Sequence, residues 1–278
     1  MELSISEQLM YSTVRIECVL NNGQSSVGTG FFYNFLEQED GSHVPAIVTN
    51  KHVIKDAING RFILTEADND GLPLDSLHIP IEFNQFEQRW IGHPEDDVDL
   101  CIMPIAPIFH ELEEMNKRIF YRTMQKSFIY TTEDLNELHA IEDITMIGYP
   151  NGLWDSINNK PVARKGITAT HPKHDYEGRE EIVIDAACYG GSSGSPVFIL
   201  NEGSYSSGNG VVVGSRIIFL GILYAGPQVT VNGEVEIVTI PTSQQRAITR
   251  SMVMMNLGFV IKAHKLFDFE PILEEMNK

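Results

Sequence analysis

Cysteine is scarce in this sequence, and its few positions do not suit covalent or metal crosslinking. Only Cys18, Cys101 and Cys188 occur among 278 residues. An odd, widely spaced set with no Cys-x-x-Cys pair is typical neither of a disulfide framework nor of a structural zinc site. We therefore expect a fold that depends on its hydrophobic core, which a chain of this length can bury, and a protein that uses no cofactor and no metal.

Basic residues are also few. The 20 lysines and arginines stand against 38 aspartates and glutamates, so the formal net charge is −18. A surface of this sign repels phosphate backbones and anionic lipid headgroups. We expect neither nucleic acid nor a membrane surface among the partners of this protein.

Long apolar segments are missing as well. No run approaches the roughly 20 residues that a membrane-spanning helix requires. The first residues, MELSISEQLMYSTVRIE, lack the basic and then apolar order of a secretory signal peptide. Together with the sparse cysteines, these absences predict a cytoplasmic protein.

What the sequence does contain is a succession of short runs rich in valine, isoleucine and phenylalanine, separated by turn residues. Runs of this length and spacing predict the strands of an all-β barrel or sandwich. They include Ser12–Leu20, Gly28–Tyr33, Ala46–Asn50, Glu181–Asp185 and Ile217–Tyr224.

Two segments depart from this β-type pattern. The stretch from about residue 109 to 138 is rich in Glu, Lys, Met and Gln, and its TTED at 131–134 is typical of a helix N-terminus. We interpret it as a connection between two β-rich halves, with a helical insertion within one half as the alternative. The segment from roughly Ala263 to Asn277 predicts a closing helix, in which Pro271 either introduces a kink or begins the second turn.

The most informative segment is GGSSGSP at 190–196, which lies between two apolar runs. Glycines on both sides of a serine permit the unusual backbone dihedrals of a tight turn. A nucleophilic serine needs such a turn, because its hydroxyl must protrude and neighbouring N–H groups must point at the developing oxyanion. Taken alone, an ordinary Gly/Ser loop explains the segment equally well.

Two further residues complete a chemical pattern. His52 directly follows the strand predicted at 46–50, and Asp99 opens the apolar run at 100–105. A serine becomes nucleophilic when a neutral imidazole accepts its proton and a carboxylate orients that imidazole. His52, Asp99 and Ser193 are therefore candidate catalytic residues. Asp97 is the rival carboxylate, and we favour Asp99 because the apolar alternation begins directly after it.

In these motifs the sequence resembles the trypsin/chymotrypsin serine peptidases, especially their bacterial and intracellular members. The order His, Asp, Ser is that of the family, and GSSGSP at 191–196 fits its G-x-S-G-[GS]-P turn. TNKHV at 49–53 and DLCIM at 99–103 are similar to the family's histidine and aspartate motifs. GTGFF at 28–32 resembles its glycine-rich first hairpin. The resemblance covers about residues 10 to 262.

The resemblance implies an all-β fold of two six-stranded antiparallel β-barrels with the active site between them. We expect an N-terminal barrel at 1–110 that carries His52 and Asp99, and a partly helical connection at 111–140. A C-terminal barrel at 141–262 would carry Ser193, and a C-terminal helix would occupy 263–278. Together these parts would form one peptidase domain.

The resemblance also implies roles for the site residues. His52 would be the general base, Asp99 the carboxylate that orients it, and Ser193 the nucleophile. The backbone N–H groups of Gly191 and Ser193 would form the oxyanion hole. Digestive members of the family carry an Asp before the nucleophile, which pairs with a new N-terminus released by cleavage. Ser192 stands at that position here, so we expect the active site to form without such cleavage.

The resemblance places the base of the substrate pocket at Ala187 and one wall at Tyr224, Ala225 and Gly226. These residues offer no charge, which predicts cleavage after a neutral or apolar P1 residue rather than after Lys, Arg or Glu. The predicted function is a serine endopeptidase with protein or peptide substrates. The alternative is a catalytically silent relative that binds peptides or partner proteins in the same cleft. The sequence leaves open whether a regulatory partner gates activity, and it leaves the oligomeric state open.

Overall fold

β-strands are the predominant regular element of the computed structural model, which describes residues 3–207, 210–235 and 247–276. The strands of the first half are β1 (Thr13–Leu20), β2 (Ser25–Phe35), β3 (Val44–Thr49), β4 (Ala57–Ala67), β5 (Pro73–Asn84), β6 (Ile91–Gly92), β7 (Cys101–Pro104) and β8 (Ile119–Phe120). Those of the second half are β9 (Asp143–Gly148), β10 (Val162–Thr168), β11 (Glu181–Asp185), β12 (Pro196–Asn201), β13 (Ser204–Ser207), β14 (Gly210–Val213), β15 (Arg216–Ala225), β16 (Gln228–Val235), β17 (Ala247–Met254) and β18 (Leu257–Lys262).

The strands of the first half form one eight-stranded sheet with antiparallel pairing. Its order is β5-β4-β1-β2-β3-β7-β6, and β8 pairs with β4. In β1 the buried side chains of Val14, Ile16 and Cys18 alternate with more polar ones, so one face of the strand packs into the core. No pairing among the described residues closes this sheet into a ring. The first of the two predicted barrels is therefore not shown.

The second half contains a closed barrel of six strands in the order β10-β11-β18-β15-β12-β9, and pairing between β9 and β10 completes the ring. Its interior is filled by apolar side chains from several strands, among them Ile144, Met146, Ile184, Val197 and Leu220. The prediction of a six-stranded barrel is confirmed for this half of the chain.

A shared core joins the two halves. One cluster of buried residues includes Phe31 and Leu100 from the first half and Phe198 and Phe219 from the barrel. The rings of Phe31 and Phe219 meet edge to face, with centroids 5.4 Å apart. Fully burying a phenylalanine contributes about 1.5–3 kcal/mol, so this cluster holds the two sheets in a fixed relative position.

Five short α-helices accompany the strands in the described ranges. They are α1 (Ile5–Leu9), α2 (Lys51–Ile54), α3 (Ala106–Glu114), α4 (Thr132–Glu137) and α5 (Glu270–Met276).

The predicted N-cap of the connecting segment is confirmed: the Thr131 hydroxyl accepts from the Asp134 N–H, and the Asp134 carboxylate accepts from the Thr131 N–H. A 3₁₀ segment over Ala263–Phe269 precedes α5, and Pro271 lies in the first turn of that helix. No helix in the described ranges has the length and apolar character needed to cross a membrane.

Candidate active site

His52 lies in the first turn of α2, directly after the end of β3. The last residue of that strand, Thr49, donates its hydroxyl hydrogen bond to the Thr29 carbonyl on β2 over 2.7 Å. Asn50 forms the N-cap of α2, so the chain turns from strand to helix within one residue. The sequence thereby presents the imidazole at the edge of the sheet, where 46% of the side chain is exposed.

The imidazole of His52 is bound to the carboxylate of Asp99. Nδ1 of the ring lies 2.5 Å from Asp99 Oδ2, and the backbone N–H of His52 donates to Oδ1 over 3.0 Å. Asn50 Nδ2 donates to the Asp99 carbonyl over 2.7 Å, which fixes the backbone beside the carboxylate. Because a carboxylate oxygen accepts, the ring nitrogen facing it carries the proton, and Nε2 of a neutral ring is left as a proton acceptor.

Asp97, the rival carboxylate, does not reach the imidazole. The segment before Asp99 is a turn rather than an extended strand, since the Val98 N–H donates to the Glu95 carbonyl over 3.2 Å. The turn leaves Asp97 exposed on the surface while Asp99 is only partly exposed. The structure thus pairs His52 with Asp99, the carboxylate that the sequence favoured. The turn before Asp99 explains this pairing, and alternation along a strand does not.

Ser193 lies at the tip of the turn between β11 and β12. Gly191 and Gly194 flank it with φ angles of 80° and 85°, in the left-handed region that glycine adopts without strain. Ser192 and Ser195 are fully buried, whereas Ser193 is partly exposed. Of the three serines in this turn, only Ser193 is accessible to a substrate.

The turn is packed against the strands that lead to His52. The Thr29 N–H donates to the Ser193 carbonyl over 2.9 Å. A Cβ on Gly194 would lie 1.9 Å from the Thr29 carbonyl oxygen and 2.6 Å from the Thr49 hydroxyl, so only glycine permits this approach. Thr29 thus connects the serine turn to the end of β3, and sequence reasoning did not identify it as a site residue.

The Ser193 hydroxyl does not contact the imidazole in this conformation. Its Oγ donates to the carbonyl of Tyr224 over 3.3 Å. No hydrogen bond joins Ser193 to His52 in the described part of the chain. The structure therefore brings the backbone of the serine turn against the strand end that precedes His52, while the hydroxyl points toward β15.

The backbone N–H groups of Gly191 and Ser193, in the same turn, have no acceptor among the described residues. The N–H groups of Ser192, Gly194 and Ser195 donate to the carbonyls of Tyr189, Leu223 and Ser192 over 2.8–3.0 Å. An N–H group that the fold leaves unpaired is available to an anionic ligand. The unpaired N–H groups of Gly191 and Ser193 are therefore candidates for such a contact.

The predicted pocket residues lie on two adjacent segments. Tyr224 and Ala225 end β15, and Gly226 follows them. A Cβ on Gly226 would lie 3.6 Å from the Cβ of Cys188, which places this wall against the segment that begins at Ala187. The Tyr224 hydroxyl donates to Glu181 Oε2 over 2.9 Å. Burial and this carboxylate raise the pKa of Tyr224, so the phenol stays neutral.

Arg164 is a neighbour of the pocket that sequence reasoning missed. Its Nη1 donates to the Ala187 carbonyl and, over 3.0 Å, to the Ser192 hydroxyl. The sequence offered one signal: in the run VARKGIT at 162–168, Arg164 lies on the half-buried face of β10, between the exposed residues Ala163 and Lys165. A basic residue on such a face indicates a local partner, but the sequence does not say which one.

None of the cysteines competes with Ser193 as a nucleophile. All three are buried free thiols. Burial raises the pKa of Cys188 to about 11 and that of Cys18 to about 12, and it also raises the pKa of Cys101 well above the ordinary value of a thiol. A thiol is nucleophilic as the thiolate, which these groups do not form near neutral pH. The nucleophile that this site offers is a hydroxyl.

Comparison with known proteins adds a family match. A family model described as a trypsin-like peptidase domain matches residues 28–205, a range that contains His52, Asp99 and Ser193. No curated protein sequence matches the chain.

Three solved structures are similar to this chain. The active form of the Rv3671c protease from M. tuberculosis is 15% identical, with a TM-score of 0.44 over 92% of this chain and 78% of that one. The HtrA-type protease AlgW, solved with a tripeptide, is 15% identical, with a TM-score of 0.48 over 97% of this chain and 62% of that one. Deg5 is 18% identical, with a TM-score of 0.44 over 81% of this chain and 88% of that one.

Proposed function

This chain belongs to the family of trypsin-like peptidase domains, and on that premise we propose that it is a serine endopeptidase. One observation supports the proposal most directly: His52 Nδ1 lies 2.5 Å from Asp99 Oδ2 beside a turn whose only accessible serine is Ser193. A carboxylate-bound imidazole near an exposed serine is the arrangement that activates a hydroxyl for acyl transfer.

In the proposed reaction, Ser193 Oγ attacks the carbonyl carbon of the scissile peptide bond while His52 Nε2 takes its proton. The carbonyl oxygen becomes an oxyanion, which the N–H groups of Gly191 and Ser193 stabilise. His52 then donates the proton to the leaving amine, and the C–N bond breaks to give an acyl-enzyme. Water, deprotonated by His52, attacks the ester and releases the acid and Ser193.

Catalysis requires the Ser193 hydroxyl to rotate from the Tyr224 carbonyl to His52. The resemblance to the peptidases implies that the strand at Tyr224 pairs with the backbone of the substrate. A substrate N–H that takes the Tyr224 carbonyl as its acceptor would compete with the Ser193 hydroxyl for the same oxygen. Binding of a peptide would thus release the Ser193 hydroxyl from Tyr224. Rotation about the Cα–Cβ bond of Ser193 would then bring the hydroxyl to the imidazole.

We propose the division of the chain that the resemblance implies. Residues 1–110, with His52 and Asp99, would act as the first barrel, and residues 141–262, with Ser193, as the second. Residues 111–140 would connect them, and 263–278 would close the domain. The helix α3 already begins at Ala106, so the helical part starts before residue 111. A cytoplasmic location likewise stays a prediction from the cysteine content.

Labelling with a fluorophosphonate tests the proposed chemistry. We expect the purified full-length chain to become modified at one residue, and mass spectrometry of its peptides to place the adduct on Ser193. Hydrolysis of a denatured protein substrate by the same preparation would show peptidase activity. Absence of both reactions would contradict the proposal.

A second candidate function is a silent module that binds peptides in the same cleft. The observation that favours it is the Ser193 hydroxyl, which donates to the Tyr224 carbonyl rather than to His52. Peptides that bind with measurable affinity but are never cleaved, together with the absence of labelling, would support this function instead.

We further propose that the peptidase cleaves after neutral or apolar P1 residues. Ala187 and the wall at Tyr224 to Gly226 carry no charged side chain. Arg164, which contacts the Ala187 carbonyl, has Nε and Nη2 buried within the protein, so these atoms do not face an open pocket. A charged P1 side chain would therefore lose its hydration without gaining a partner.

A peptide library with all residue types at P1 measures this preference. We expect cleavage after Ala, Val, Leu or another neutral residue to exceed cleavage after Lys, Arg, Asp or Glu by about tenfold or more, since burying an unpaired charge costs more than 1.4 kcal/mol. Dominant cleavage after Lys or Arg would overturn the proposed pocket. Dominant cleavage after Glu would show that the guanidinium of Arg164 faces the substrate.

A further inference from the structure

Arg164 enters the barrel from β10 and reaches the chain segment that precedes the nucleophile. Its Nη1 donates to two acceptors of that segment, the carbonyl of Ala187 and the hydroxyl of Ser192. These acceptors lie on either side of the bend at 188–191. One guanidinium group therefore ties together the beginning and the end of the segment.

Stability does not explain this residue. Nε and Nη2 of Arg164 are buried and have no hydrogen-bond partner in the described part of the chain. Burial lowers the pKa of the Arg164 guanidinium, and no carboxylate among the described residues offsets this. A buried cation without a counter-ion is destabilising relative to an apolar side chain of similar volume. The role of Arg164 at this place is therefore not stabilisation of the fold.

The contacts of Ser192 indicate what this role is. Its side chain is fully buried, and its hydroxyl accepts from both Arg164 and, over 3.3 Å, the Tyr189 N–H. The peptide units on the two sides of Ser192 carry the N–H groups of Ser192 and Ser193, and each peptide unit is planar. Fixing the Ser192 side chain therefore limits the directions in which the unpaired N–H group of Ser193 can point.

We propose that Arg164 is a positioning residue that holds the N–H group of Ser193 in the orientation that binds the oxyanion. This inference rests on the proposed peptidase function. The inference also adds a residue to that function, since the charge of Arg164 holds the serine turn from inside the barrel. No charge at residue 192 and no newly cleaved N-terminus are then required to hold the serine turn.

Replacement of Arg164 by Met tests the proposal, with Arg216→Met as the matched control. Arg216 also lies in the barrel, and its side chain is 12% exposed, but it pairs with Glu142 and Asn201 rather than with the serine turn. We expect Arg164→Met to lower kcat by about 100-fold, the effect of losing one oxyanion donor, with KM changed by less than about threefold. Its melting temperature should stay equal or rise.

The control separates positioning from folding. Arg216→Met should lower the melting temperature, because it leaves the buried Glu142 unpaired, and should leave kcat within about threefold of the wild type. Arg164→Lys keeps the charge but presents a single ammonium group, so it should recover part of the lost kcat. If Arg164→Met does not fold, Arg164→Lys carries the same comparison.

The outcomes distinguish this inference from the proposed function. If the wild type is active and both Arg164 variants keep kcat within about threefold, the inference is wrong and the peptidase function stands. If the wild type is inactive, the rate of hydrogen exchange at backbone amides tests the inference. Faster exchange of the amides at 187–195 in Ser193→Ala/Arg164→Met than in Ser193→Ala supports the positioning role, and equal exchange overturns it.

Discussion

Replacing Ser193 with Ala is expected to lower kcat for peptide hydrolysis by about 10⁶-fold and to abolish fluorophosphonate labelling. The hydroxyl is the only accessible nucleophile in the turn, since Ser192 and Ser195 are fully buried and the three thiols stay protonated. Residual activity above the rate in water would come from substrate binding and from the unpaired N–H groups, which the substitution leaves in place.

Steady-state kinetics and labelling of Ser193→Ala measure this effect, and Ser195→Ala is its matched control. Ser195 lies two residues away, and its buried hydroxyl contacts Thr29 Oγ1 at 3.3 Å. We expect the control to lose some thermal stability but to retain labelling at Ser193. Labelling of Ser193→Ala at wild-type rates would show that Ser193 is not the nucleophile and that another residue of the chain reacts.

Replacing Asp99 with Asn should lower kcat by about 10⁴-fold with little change in fold. The carboxylate now accepts from His52 Nδ1 at 2.5 Å and from the His52 N–H at 3.0 Å. An amide of the same shape can donate to Nδ1, which would leave the proton on Nε2 and remove the acceptor that Ser193 needs. The substitution changes which nitrogen of the His52 ring carries the proton, so KM should change far less than kcat.

Asp97→Asn is the matched control for this prediction. It makes the same chemical change two residues away, at an exposed carboxylate that has no hydrogen bond or ion pair with the imidazole in the described part of the chain. We expect its kcat to stay within about threefold of the wild type, where surface substitutions usually fall. A large loss in Asp97→Asn with full activity in Asp99→Asn would exchange the roles of the two residues.

Family membership was readable from local motifs. The turn GSSGSP, the histidine after a strand and the aspartate before an apolar run each depend on a few consecutive residues, and the family match confirms the resemblance they carry. Local capping at Thr131 was readable for the same reason, since a capping box involves residues only three apart. Closure of the C-terminal barrel followed from the resemblance and not from propensity, because the propensity of a segment does not specify which other strands it pairs with.

Other features depend on contacts between distant residues. Apolar alternation after Asp99 favoured it over Asp97, but the physical reason for its pairing with His52 lies in a turn at Glu95 to Val98, which leaves Asp97 exposed. The missed contact between Arg164 and the serine turn joins residues 23 and 28 positions apart. Its partners are a carbonyl and a hydroxyl, which have no sequence signature as acceptors of an arginine.

The sequence by itself determined which chemical groups are present and in what order, since side-chain chemistry and turn-forming glycines act over a few residues. Tertiary structure decided which carboxylate binds the imidazole, that the Ser193 hydroxyl points to Tyr224, and that a buried arginine supports the turn. These outcomes depend on the packing of two sheets against each other, in which small shifts exchange one hydrogen-bond partner for another. Packing of this kind is a property of the whole chain, so no local segment encodes it.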